Sequence, residues 1–87
     1  MKYFVYLIVS THKNKTTSYV GYTSNITNRI KLHNSSKGAK FTRGRYWKLI
    51  YKKAYASKSI AMRNEFFLKK NYKERLKIKK NYLNNKS

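Results

Sequence analysis

The chain has 87 residues and a formal charge of +20, because 22 lysines and arginines face only two acidic residues, Glu65 and Glu74. This charge favours a polyanionic partner. Cysteine is absent, which excludes disulfides and thiolate metal sites. No run approaches the roughly 20 apolar residues of a membrane span. Hydrophobic residues at 40% exclude a disordered basic tail, so we expect one soluble, cytoplasmic domain that binds nucleic acid and no membrane.

Two strands are predicted first. The unbroken aromatic and β-branched run Tyr3–Val9 is typical of a strand that is buried on both faces. A polar loop is expected at His12–Thr17, followed by a second strand at Ser18–Thr23. Their short separation indicates a hairpin.

A helix with an unusual apolar face follows the hairpin. Ser24 or Asn25 is its expected cap, and the helix runs to about Asn34. Arg29 and His33 are one turn apart on this helix and lie beside its isoleucines rather than opposite them. An apolar face is an uncommon place for a cation, which makes this pair a candidate for chemistry.

The second half of the chain predicts five further segments. They are a loop at residues 35–45, a strand at 46–55, helices at 60–70 and 72–83, and a disordered tail at 84–87. Ser57 or Ser59 caps the first of these helices, on which Glu65 shares a face with Ala61 and Leu68. The predicted fold class is therefore α+β, with a three-stranded antiparallel sheet flanked by helices in the order β-β-α-β-α-α. A single domain is expected over residues 1–83.

Five side chains are candidates for catalysis, and each also has an ordinary interpretation. Tyr6 and Tyr19 lie in neighbouring predicted strands, where packing is the common role of a tyrosine. Arg29 could extend along the core with its head in solvent, and His33 could simply end a helix. Glu65 could pair with a nearby lysine or arginine. None of these residues alone indicates a function.

Their order along the chain is more informative, because it resembles the GIY-YIG endonuclease family. The matching elements are Phe4-Val-Tyr6, Tyr19-Val-Gly21, Arg29-x-x-x-His33 and Glu65. Two further segments, Lys37–Arg45 and Ala61–Glu65, resemble the small stand-alone UPF0213 branch, and the resemblance covers about residues 3–76. Phe4 replaces the first glycine of the family motif, and Lys77 stands where many members have a late asparagine.

The resemblance implies hydrolysis of DNA phosphodiester bonds with one divalent ion, Mg²⁺ or Mn²⁺. Glu65 would be the metal ligand, and Arg29 would bind the scissile phosphate. Tyr6 and Tyr19 would position or deprotonate the attacking water, with His33 assisting the proton transfer or orienting a tyrosine. A tyrosine has an ordinary pKa near 10, so we expect the surrounding cations to lower the pKa of the tyrosine that acts as base. These five side chains should converge on one basic concave surface.

Contacts to DNA phosphates are expected from five cations, namely Lys37, Lys40, Arg43, Arg45 and Lys69. Trp47 or the exposed tyrosines would stack on unpaired bases, which favours single-stranded or branched DNA over plain duplex. Targeting would come from this domain or from a protein partner, and we expect a monomer or weak dimer. The alternatives are a non-catalytic basic DNA- or RNA-binding protein and a degenerate nuclease fold that serves in protein interaction.

Overall fold

The computed structural model describes residues 2–85 and contains a three-stranded antiparallel sheet. Strand β1 (Tyr3–His12) is central, between β2 (Lys15–Thr23) and β3 (Lys48–Tyr55). The helices are α1 (Ile26–Asn34), α2 (Lys58–Lys70) and α3 (Tyr72–Asn85), and a 3₁₀ helix (Lys40–Thr42) precedes β3. This arrangement confirms the predicted α+β class and the order β-β-α-β-α-α.

The β1–β2 hairpin closes with a turn of only two residues. Lys13 and Asn14 both have positive φ, at 49° and 66°, and His12 pairs directly with Lys15. Two consecutive residues with positive φ match the right-handed twist of a hairpin. The predicted loop at His12–Thr17 is therefore wrong, because polar residues of both strands continue the pairing beyond the apolar core.

The face of the sheet that carries Tyr6 and Ile8 packs against α1. Side chains alternate between the two faces of a strand, so these two residues point the same way and enclose Trp47. Ile26 and Ile30 of α1 pack against this cluster. We call this side the α1 face.

The opposite side of the sheet, which we call the α2 face, carries the larger aliphatic cluster. Val5 and Leu7 of β1 pack there with Val20 of β2, and Ala61 and Leu68 of α2 complete the buried set. Helix α3 adds Ile78, which is partly buried. The core therefore lies on both faces of the sheet, with β1 buried between them.

Side chains cap each α-helix at its first turn. Asn25 Oδ1 accepts from the Asn28 N–H at 3.0 Å, and Ser57 Oγ accepts from the Ile60 N–H at 3.2 Å, so one of the two alternative caps is confirmed in each case. Asn71 Oδ1 accepts from the Glu74 N–H at the start of α3. Helix α3 continues to Asn85, two residues into the predicted tail, and residues 86–87 of that tail lie outside the described residues. None of the helices described between residues 2 and 85 has the length and apolarity to cross a membrane.

Candidate active site

The Tyr6 ring crosses β2 at Gly21, its direct partner in the sheet register. A Cβ built on Gly21 would lie only 2.6 Å from Tyr6 Cζ, so a side chain at this position would displace the ring. Tyr6 is fully buried on the α1 face. The glycine of the Tyr-Val-Gly motif therefore makes the space that the tyrosine of β1 occupies.

His33 meets this tyrosine from the last turn of α1. Its Nε2 lies 2.8 Å from Tyr6 Oη, and its Nδ1 lies 2.9 Å from Thr42 Oγ1. His33 is fully buried. A Cβ on Gly38 would lie 2.6 Å from His33 Nδ1, so this glycine makes room for the imidazole. The ring is thus held by a partner at each nitrogen.

The hydrogen-bond network assigns the protons of the pair. The Thr42 hydroxyl donates to Ala39 O at 2.8 Å, and a hydroxyl has one proton to donate. Thr42 Oγ1 must therefore accept from His33 Nδ1–H, which leaves Nε2 as the acceptor for the Tyr6 hydroxyl. Arg29 Nε also lies 3.4 Å from Tyr6 Oη and donates to it. A continuous chain then runs from Arg29 through Tyr6 and His33 to Thr42.

Burial keeps this pair neutral. It raises the pKa of Tyr6 above 10.0, although the hydrogen bond and positive charge of Arg29 oppose the shift. Burial also lowers the pKa of His33 below 6.5, and the charge of Arg29 lowers it further. The expected lowering of a tyrosine pKa is therefore wrong for Tyr6, because desolvation outweighs the single cation that contacts it.

The lowered pKa of His33 predicts acid sensitivity. The unfolded chain takes up a proton at this residue near pH 6.5, whereas the folded protein does so only at lower pH. The stabilisation is complete above about pH 6.5 and is lost as pH falls through the folded-state pKa, with a slope of up to about 1.4 kcal/mol per pH unit. We expect the free energy of unfolding, measured in urea, to fall between pH 7.5 and 5.5.

The control for this prediction is the exposed second histidine. His12→Gln should keep the pH dependence of the wild type, whereas His33→Gln should flatten it. The chosen window lies above the range in which carboxyl groups ordinarily titrate. Equal slopes in the two variants would contradict the assignment of the effect to His33.

Tyr19 lies between the buried network and the surface. Its ring contacts the edge of the His33 ring, with centroids 5.3 Å apart, and stacks with Phe41 of the 3₁₀ helix at 6.0 Å. Tyr19 pairs with Ile8 in the sheet, so its side chain is on the α1 face with Tyr6. It is half-buried, whereas Tyr6 is enclosed. Of the two tyrosines, Tyr19 is the one that solvent reaches.

Glu65 comes to this region from the other face of the sheet. Helix α2 packs on the α2 face, yet the negative charge of Glu65 contributes to the raised pKa of Tyr6. Lys69 Nζ lies 3.7 Å from Glu65 Oε1, and Lys69 lines a cleft together with Tyr19 and Phe41. Helix α2 therefore lies on the side of the sheet opposite Arg29 and His33, and the convergence of Glu65 with them on one concave surface stays a prediction.

The predicted phosphate-binding cations are all exposed, and four of them lie on the segment between α1 and β3. This segment encloses His33, because Gly38 and Thr42 contact the imidazole. Arg45 Nη1 donates to Thr17 Oγ1 of β2 at 3.2 Å, which ties the end of the segment to the sheet. The fifth cation, Lys69, is on α2 beside Glu65. Four of the five cations therefore lie on the segment that encloses His33.

Trp47 is not available for base stacking, contrary to prediction. It is only 1% exposed, and its Nε1–H donates to Thr42 O at 2.8 Å. Asn34 fixes the Trp47 backbone, since its Oδ1 accepts from Trp47 N and its Nδ2 donates to Trp47 O. Tryptophan is large and apolar enough to fill the core between β1 and the 3₁₀ helix, and this burial overrides its use on the surface.

Three residues of the site were not predicted: Gly38, Phe41 and Thr42. They lie within the cationic segment Lys37–Arg45, where positive charge is the dominant signal in the sequence. The partner of Thr42 is His33, nine residues earlier and on another element. No local periodicity in the sequence marks such a pair. In the structure, Phe41 is exposed and the neighbouring Thr42 is buried.

A divalent ion fits the donors that are present, although they are few. Glu65 has a 19% exposed side chain and a lysine partner at 3.7 Å, beyond hydrogen-bond distance. Residues 2–85 hold no group of three or more His, Cys, Asp or Glu side chains that could bind a metal. Mg²⁺ commonly takes one or two carboxylates and completes its shell with water and substrate phosphate. A single carboxylate is therefore chemically adequate.

The fold and this network define a GIY-YIG catalytic domain. The family profile of that domain matches residues 2–81, and the chain belongs to the GIY-YIG family, whose nuclease domain acts on nucleic acid. Within the family, it is similar to the UPF0213 proteins.

Two UPF0213 relatives and one solved structure illustrate this similarity. A UPF0213 protein of Streptococcus pneumoniae is 51% identical over 53 residues, which are 60% of this chain and 54% of that protein. One from Staphylococcus haemolyticus is 44% identical over 70 residues, covering 78% of this chain and 80% of the relative. The matched segment thus spans about half of the first relative. A UPF0213 protein of Bacillus halodurans, solved by solution NMR, is 37% identical with a TM-score of 0.48, covering 99% of this chain and 86% of that one.

Proposed function

We propose that the protein is a metal-dependent DNA endonuclease. The observation that carries the proposal is the contact of Arg29 with the buried Tyr6–His33 pair. The Nε–H of the Arg29 guanidinium donates a hydrogen bond to Tyr6 Oη. The two terminal nitrogens, with four N–H groups between them, are then oriented for a phosphate.

Each side chain has a role that follows from its surroundings. Tyr6 and His33 position Arg29, since the Tyr6 hydroxyl donates a hydrogen bond to His33 Nε2 and its oxygen is left to accept from Arg29. Arg29 binds the scissile phosphate and stabilises the negative charge that grows on it. Tyr19, the half-buried tyrosine, orients the attacking water. The phosphorus gains a bond to the water oxygen and loses its bond to the leaving oxygen, while a proton of the water passes to solvent and the leaving oxygen takes one up from solvent.

Glu65 would hold one Mg²⁺ or Mn²⁺ ion. When bound there, such an ion supplies positive charge to the substrate phosphate. The exposed cations contact neighbouring phosphates, so the affinity for DNA should fall steeply as salt rises.

We further infer an intracellular monomer or weak dimer. Sequence targeting would come from this domain or from a partner protein.

The test is cleavage of labelled single-stranded, branched and duplex DNA in Mg²⁺, in Mn²⁺ and in EDTA. We expect cleavage by the wild type in metal and none in EDTA. Arg29→Ala should cleave about 10²-fold more slowly, in line with the loss of one preorganised donor to transition-state charge. DNA binding should weaken only slightly, because one of 22 cations is removed.

Two outcomes would overturn the proposal. Binding without cleavage in any metal would favour the non-catalytic nucleic-acid-binding alternative, in which the buried network is purely structural. Equal cleavage by the wild type and Arg29→Ala would assign the activity to a contaminant or to another site.

A further inference from the structure

Phe41 is exposed, although hydrogen bonds hold the residues next to it in place. Its side chain is 58% exposed, while the next residue, Thr42, is buried and bonded to both His33 and Ala39. Trp47 Nε1 also donates to the carbonyl of Thr42. The backbone that carries Phe41 is therefore fixed, and the exposed ring is held in position in advance of any ligand.

The ring of Phe41 is already part of an aromatic stack. It lies over Tyr19 with an interplanar angle of 22° and contacts Trp47 at a centroid distance of 6.4 Å. Tyr19 in turn contacts His33 of the candidate site. An exposed aromatic ring beside a catalytic network is the arrangement on which an unpaired base stacks.

Cations line the same cleft. Phe41, Tyr19 and Val20 share an open cleft of about 320 Å³ with Lys69 and Arg75. Lysines and arginines beside an aromatic ring bind the phosphates that flank a stacked base. The described lining of this cleft contains no acidic side chain, although Glu65 lies next to it as the partner of Lys69.

We propose that Phe41 and Tyr19 form a subsite that stacks one unpaired nucleobase next to the scissile phosphodiester. This inference rests on the proposed nuclease function and narrows its substrate to DNA with an unpaired nucleotide at the cut, as in single strands, flaps and branches. Plain duplex offers no free base face for Phe41. The subsite itself recognises any base, because every base has an aromatic face.

The experiment measures binding in EDTA, so that no cleavage is required. A fluorescent single strand is compared with a strand of the same length that carries abasic sites and hence the same phosphates without bases. The wild type should bind the base-containing strand about tenfold more tightly, the expected size of one stacking contact. Phe41→Ala should abolish this preference and leave the affinity for the abasic strand unchanged.

Three variants make the test specific. Phe67→Ala is the matched control, because Phe67 is 59% exposed on α2 and lines a different cleft; it should keep the preference. Phe41→Tyr should keep it too, whereas Phe41→Leu preserves apolar bulk without an aromatic face and should lose it. Because leucine preserves the apolar bulk, the leucine variant tests the aromatic ring even if the alanine variant misfolds.

The outcomes separate the two proposals. Preference for bases that survives in Phe41→Leu, or is absent from the wild type, overturns the stacking subsite whatever the nuclease assay shows. A preference that depends on Phe41 in a protein that cleaves nothing overturns the nuclease alone.

Discussion

Glu65→Gln is expected to reduce cleavage by at least about 10³-fold while DNA binding is retained. Glu65 is the proposed metal ligand, and a neutral amide is a much weaker ligand for a hard cation than a carboxylate is. Loss of the several kcal/mol that a metal contributes to the transition state corresponds to such a factor. The variant carries one more unit of net positive charge than the wild type, so a defect in cleavage cannot come from weaker attraction to DNA.

The matched control for Glu65 is the second acidic residue of the chain. Glu74 is exposed in the first turn of α3, and Glu74→Gln makes the same change of charge away from Arg29 and His33. Cleavage rates in Mg²⁺ and in Mn²⁺, measured with the same labelled strand, should be unchanged in this control. Similar losses in the two variants would mean that total charge, and not a ligand at residue 65, controls activity.

Trp47→Ala is expected to destabilise the protein by about 3–5 kcal/mol. Trp47 is among the largest fully buried side chains and packs with Tyr6 and Ile8 on the α1 face. Its removal leaves a cavity and also an unsatisfied carbonyl at Thr42, to which Nε1 donates. Typical domains have only about 5–15 kcal/mol of stability in total, so the variant should lose a large fraction of it. Urea unfolding followed by circular dichroism measures the change.

Two neighbouring substitutions give this prediction its controls. Tyr46→Ala alters a side chain that is 70% exposed and should change the free energy of unfolding by no more than about 0.5 kcal/mol. Trp47→Phe keeps most of the apolar volume and should lie between the wild type and Trp47→Ala. A Trp47→Ala variant as stable as Tyr46→Ala would show that the core between β1 and the 3₁₀ helix does not depend on this ring.

The secondary structure was predictable wherever apolar periodicity and caps agreed. The run Tyr3–Val9 and the two pairs of alternative caps, at residues 24–25 and at 57 or 59, each predicted an element that the structure contains, because their signals are local. The hairpin turn was missed because Lys13 and Asn14 hold positive φ without a glycine to mark it. Polar strand ends carry no hydrophobic pattern, so the strands were predicted too short.

Contacts within the site were predictable from spacing where the two residues share one element. Arg29 and His33 are one helical turn apart, and that spacing alone places them together. The contact of His33 with Thr42 joins two elements, and the approach of Glu65 depends on how α2 crosses the sheet. Such pairings are set by packing of the whole fold, which a single sequence pattern does not encode. The burial that raises the pKa of Tyr6 is likewise set by the packing of the whole fold.

The position of α2 on the face opposite α1 links activity to cooperative folding. The Tyr6–His33 pair belongs to one layer of the molecule and Glu65 to the other, with the sheet between them. Detachment of the α2–α3 layer by local unfolding would remove the acid and leave the basic half of the network in place. The protein would then hold a nucleic acid without cutting it. In the proposed nuclease, cleavage would thus require all three layers to be assembled.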